Sequence, residues 1–118
     1  MKAKGRYYVY VLRLKGGALY TGYTCDVGSR LRRHVAGRAS RCTRSFPPVQ
    51  VVACWEVAGG RGAAMSVERF LKGRDRAGKE LLAENPELLE RRYAGQTGRS
   101  CGARPVSPLP ELPPAPPG

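Results

Sequence analysis

The chain has 118 residues, 42% hydrophobic and 25% charged, enough for one domain with a modest core. Its 21 Lys and Arg against 9 Asp and Glu give a net charge of +12, and the excess lies at the front: 11 basic residues and one acid up to Arg44, then 8 against 7 from Ser45 to Arg92. A basic half beside a balanced half points to a polyanion, nucleic acid first, and the apolar run over residues 7–12, halted by Arg13, is too short to span a membrane.

Five of the six tyrosines fall within residues 7–23. Tyr7 to Leu14 is aromatic and β-branched, a strand; Lys15-Gly16-Gly17 carries turn chemistry; Ala18 to Tyr23 resumes the strand. Turn length decides which tyrosines meet. A two-residue loop pairs Tyr10 with Tyr23 and sends Tyr20 to the opposite face from Tyr10. A three-residue loop with glycine in the left-handed region pairs Leu12 with Tyr20 and Tyr10 with Gly22, so that Tyr10 and Tyr20 share a face. We favour the three-residue loop.

Asp26 is suited to cap a helix over residues 27–36, with Val27, Leu31 and Val35 as its apolar stripe and Gly37 as its stop. Arg30 and His34, four apart, project side by side along the edge of that stripe. Residues 37–48 read as a basic loop ended by Pro47-Pro48, and Val49 to Val57 as a strand. A glycine-rich loop at residues 59–62 leads into a helix over 63–72 that turns Val67, Phe70 and Leu71 inward. Further helix follows through Leu82 and again from Pro86 to Tyr93. Seven of the last 14 residues are proline, so the division expected is a domain over 1–94 and a disordered, polyproline-like tail over 95–118. The two P-x-x-P stretches of that tail make a protein-docking peptide a minor alternative to plain solvated chain. Cys25, Cys42, Cys54 and Cys101 form no C-x-x-C pair, which favours free thiols in a reducing compartment; a zinc site borrowing His34 is the minor alternative. With no signal-peptide cleavage pattern, a cytoplasmic location is expected, nucleoid-associated if the protein is bacterial.

The hairpin, helix, strand, helix order carries Tyr8-Val9-Tyr10, Tyr20-Thr21-Gly22, Arg30 and His34, and Glu68 within Val67-Glu68-Arg69-Phe70-Leu71-Lys72. In that order and setting these elements resemble the GIY-YIG nuclease superfamily, in particular its small standalone bacterial members. The resemblance covers residues 6–82 and implies an α/β domain of α+β type: a small three-stranded sheet flanked by helices, in the order β-β-α-β-α-α. It also implies a divalent-metal-dependent endonuclease acting on DNA, single-stranded or branched, with RNA as an alternative substrate. Glu68 would hold one Mg²⁺ or Mn²⁺ and Arg30 would bind phosphate oxygens through its fork. Of Tyr10 and Tyr20, one would take or orient the attacking water's proton. We lean towards Tyr10 as base, though the sequence leaves the choice open. Because a free phenol ionises near pH ~10, either needs nearby cations for that task. His34 would shuttle a proton or merely pack against the sheet. Gly22 would leave room for a close approach. Arg32, Arg33, Arg38, Arg41, Arg44 and Lys72 would track phosphates, and Thr43, with Ser40, would touch substrate. Two departures from the family pattern stand out: the first motif lacks its glycine, and Ser29 sits where relatives are often basic. The rival class is a nucleic-acid-binding module, or a repair-complex adaptor, that keeps the fold without catalysis.

Overall fold

The computed structural model describes residues 6–116. Nine elements follow one another: β1 (Tyr7–Leu14), β2 (Leu19–Thr24), α1 (Val27–Val35), α2 (Arg41–Ser45), β3 (Pro48–Val57), α3 (Gly60–Lys72), α4 (Arg76–Glu84), α5 (Leu88–Thr97) and β4 (Ala103–Pro105). The strands form one antiparallel sheet in the order β2-β1-β3-β4.

The three-residue turn sets the register at the sheet's centre. Leu14 and Ala18 close it, Gly16 and Gly17 take φ of 95° and 99°, and Tyr10 faces Gly22 while Leu12 faces Tyr20. β1 is covered on both sides, which is why its sequence runs almost continuously apolar instead of alternating. Val9 and Val11 join Trp55, Ala64, Val67, Leu71, Leu82 and Leu89 in the core beneath α3, α4 and α5. Tyr10, Leu12 and Leu14 join Leu31, Val51 and Cys54 beneath α1. Trp55 is wholly buried and its indole N–H donates to the carbonyl of Pro86 at 2.8 Å, so its one polar atom is satisfied. A bidentate pair from Arg13 to Glu80, at 2.8 and 3.1 Å, ties β1 to α4.

α1 begins as expected: the Asp26 carboxylate accepts from the N–H of Ser29 at 3.1 Å. It ends on Gly37 at φ 73°, where the N–H groups of Gly37 and Arg38 return to the carbonyls of His34 and Arg33. Two expectations are corrected. The basic loop contains α2, capped by the Ser40 hydroxyl on the N–H of Thr43; five residues are too few to show a helical period. The sheet has four strands, not three, because the chain beyond residue 95 finishes α5 and returns as β4, with Trp55 opposite Pro105 and Val57 opposite Ala103. Glu90 makes that return specific, since its carboxylate accepts from the Ser100 hydroxyl and from the N–H groups of Cys101 and Gly102. The Cys101 thiol, which also donates to it, and the Ser100 hydroxyl, with these N–H groups, hold the Glu90 carboxyl at about 2, well below its ordinary range. Val106 and Leu112 then pack onto the cluster under α1. All four cysteines are free thiols. No helix of the described residues is long and apolar enough to cross a membrane.

Candidate active site

Five of the expected site residues meet in one open pocket of about 310 Å³ at the β2 edge of the sheet: Tyr10 from β1, Tyr20 and Gly22 from β2, Arg30 from α1 and Glu68 from α3. Each arrives there for a local reason. Register puts the two phenols on the α1 face. The Asp26 cap fixes the phase of α1 and with it Arg30. The stripe Ala64, Val67, Phe70 and Leu71 buries one side of α3, leaving Glu68 half-buried at its margin, where Lys72 lies 3.6 Å from its carboxylate.

Gly22 lies in the pocket wall directly under the Tyr10 ring. A Cβ on Gly22 would stand 2.5 Å from the Tyr10 hydroxyl, so the ring passes over the bare backbone of β2. The hydroxyl ends 2.7 Å from Nε2 of His34, and Nδ1 of His34 lies 2.9 Å from Oγ1 of Thr43, itself 2.9 Å from Oγ of Ser40. Tyr10, His34 and Thr43 are each 1% exposed. Burial pushes the Tyr10 hydroxyl above the range of a free phenol and Tyr20 adds to this, while Arg30 opposes it. Burial, with Arg30 and Arg33, lowers the His34 imidazole to about 4. At neutral pH the imidazole is therefore uncharged, one nitrogen accepting and the other donating. The Tyr20 ring meets the same imidazole edge-on at 5.1 Å between centroids.

Thr43 is corrected: it is buried against His34 and, unlike Tyr10, does not line the pocket. His34 does not line the pocket, and with both ring nitrogens engaged it has none free for zinc. Arg32 faces a separate depression beside Asp26. Arg33 is exposed and donates to the carbonyl of Arg38 at 3.3 Å. Arg38, Arg41 and Arg44 line a shallow polar hollow between α1 and α2. Sequence reasoning missed Tyr7, Tyr23 and Arg61 in the pocket wall. The hairpin register, which pairs Tyr23 with Val9, is the signal that places the first two together. Arg61 carries no such signal, because only the docking of α3 brings it there.

Among the described residues no three of His, Cys, Asp and Glu stand together as a metal cluster. The pocket's oxygen donors are a single carboxylate, phenols and the Thr24 hydroxyl, with the Cys25 thiol as its one sulfur. That set fits a hard divalent cation that keeps several waters and takes its remaining oxygens from a phosphate, as Mg²⁺ does.

A family model described as the GIY-YIG catalytic domain matches residues 6–81. A UPF0213 protein of Haloquadratum walsbyi is 44% identical over 78 residues, spanning 66% of this chain and 86% of its own. One of Aeromonas salmonicida is 38% identical over 84 residues, spanning 70% of this chain and 60% of its own. The solution NMR structure of a UPF0213 protein from Bacillus halodurans shares 38% identity and a TM-score of 0.44, covering 67% of this chain and 83% of that one.

Proposed function

Because the chain belongs to the GIY-YIG catalytic domain family, whose fold implies nuclease-type chemistry, we propose that it is an endonuclease hydrolysing phosphodiester bonds in DNA with one divalent cation. The observation that carries this reading is the convergence of Tyr10, Tyr20, Arg30 and Glu68 on one pocket in a strongly basic chain. Arg30 donates to two oxygens of the phosphate, a geometry its planar fork suits. Glu68 would hold the cation, Mg²⁺ or Mn²⁺, which would supply Lewis-acid stabilisation of the negative charge that develops at the phosphate.

The buried Tyr10–His34 contact refines the base. Tyr10 is a poor free phenolate, but it does not have to become one. As the water gives its proton to the Tyr10 oxygen, the Tyr10 hydroxyl passes its own to Nε2 of His34. In the same movement Nδ1 gives its proton to the Thr43 hydroxyl, which passes its own to Ser40 and Ser40 its own to solvent. The imidazole changes tautomer without acquiring charge beside Arg30. Tyr20, half-buried on the pocket wall, orients the water. The base and the relay are thus separate groups joined by one hydrogen bond.

The test is incubation with labelled single-stranded, duplex and flap DNA in Mg²⁺ or Mn²⁺, with and without chelator. Chelator-sensitive cleavage of at least one substrate is expected. Binding without cleavage under every condition would overturn the enzyme reading in favour of the non-catalytic binding module.

A further inference from the structure

The pocket is not confined to one face of the sheet. Tyr10, Tyr20 and Gly22 face α1, while Tyr7 and Tyr23 face α3 and pack beside its core. Both sets line the same cavity, so the cavity bends around the open edge of β2 near Gly22–Thr24. On the far side the Tyr7 and Tyr23 rings stand 6.3 Å apart and tilted by 46°, spreading an aromatic wall instead of stacking on each other. The exposed Arg61 lines the same cavity as Tyr7 and Tyr23. A core has no use for a cation there, nor for two phenols at the mouth of a cavity where aliphatic side chains would fill the same space.

We propose that Tyr7, Tyr23 and Arg61 form a subsite for an unpaired nucleobase of single-stranded DNA, adjoining the phosphate position at Arg30. The proposal rests on the nuclease reading of the pocket and adds to it a substrate form. A nucleotide whose phosphate sits on the α1 face reaches the aromatic wall only by swinging its base around the strand edge. A base inside a duplex is held in its stack and cannot make that excursion without unpairing. Phenol rings hold a base by its π-face, without regard to sequence, and the guanidinium adds a charge for the neighbouring phosphate.

The experiment measures fluorescence anisotropy and single-turnover cleavage with short labelled oligonucleotides: intact single strands, single strands with one abasic residue placed at successive positions, and the matching duplex. The proteins are wild type, Tyr23→Leu and Arg61→Ala, with a thermal melt of each to confirm folding. Tyr23→Leu keeps apolar packing and removes the ring. It should weaken binding of the intact single strand by about 5- to 150-fold, the worth of one stacked base. The wild type should lose the same amount when the abasic residue occupies one particular position, and Tyr23→Leu should lose nothing further there. Arg61→Ala should lower the salt slope by about one unit, which Tyr23→Leu should leave unchanged. Wild-type cleavage indifferent to abasic residues at every position and to Tyr23→Leu would overturn the subsite and leave the nuclease standing. A wild type that neither binds nor cleaves any strand would overturn both.

Discussion

Gly22→Ala is the smallest change that tests the geometry of the site. Gly22 is not among the residues with positive φ, so alanine suits its backbone and would ordinarily stiffen the strand. The obstacle is contact alone. The new methyl carbon would lie 2.5 Å from the Tyr10 hydroxyl and 2.7 Å from the ring carbon bearing it. Such pairs rest near ~3.5 Å, so the phenol must move by about 1 Å. With Nε2 of His34 already at 2.7 Å, that movement either stretches the hydrogen bond beyond range or drives the ring into the imidazole. Overpacking costs about 1–3 kcal/mol and the lost hydrogen bond about 1 kcal/mol, together roughly 2–4 kcal/mol. For a domain of this size the melting temperature should fall by roughly 10 °C. A 1 Å displacement of a reacting group should cost activity about 10²-fold. Circular-dichroism melts and single-turnover cleavage read the two effects. A Gly22→Ala protein that melts and cleaves like the wild type would refute the placement of Tyr10 over Gly22.

Four further outcomes are expected. Glu68→Gln should abolish cleavage in Mg²⁺ and in Mn²⁺ while DNA affinity by anisotropy stays equal or improves; near-normal cleavage would remove Glu68 as the cation's ligand. Arg30→Lys and at least one of Tyr10→Phe and Tyr20→Phe should each lose about 10²–10⁴-fold in single-turnover rate, with melting curves showing no comparable loss of stability. Charge reversal at Arg38 and Arg41 together should weaken DNA binding and reduce its salt slope by roughly one unit per lost phosphate contact; an unchanged slope would mean a merely solvated hollow. His34, about 4 when folded and near ~6.5 when unfolded, is protonated in the unfolded chain first. Its contribution to stability is therefore full above pH ~6.5 and falls as the pH drops towards about 4, by about 3 kcal/mol in all. Urea midpoints of wild type and His34→Gln across that window should converge at the acid end.

The local parts of this fold were legible because short-range rules govern them. Turn length fixed the partner of every residue in the hairpin, and Asp26 fixed the phase of α1. Together they brought Tyr10, Tyr20 and Arg30 to one place, and the family resemblance supplied Glu68. What escaped depends on packing between distant segments. Thr43 reads as a surface residue in a basic stretch, and only the fold of α2 against α1 turns it inward to His34. Arg61 reaches the pocket through the docking of α3. β4 is three residues long, so it has no period to detect. Its proline-rich surroundings argue for open chain until the Glu90 carboxylate gathers the backbone of Cys101 and Gly102.

The two edges of the sheet are finished in opposite ways. On the β4 side Pro105 has no N–H to offer, and a strand so short and so interrupted cannot template further pairing. On the β2 side the outer row of backbone groups has no neighbouring strand among the described residues. Such a row ordinarily invites another chain to add itself, the first step of aggregation. Here the front-loaded positive charge repels a second copy and attracts a polyanion instead. The edge that is hazardous in most sheets is therefore the one over which the pocket of Tyr10 and Arg30 folds, and a nucleic acid bound as proposed would serve as its cover.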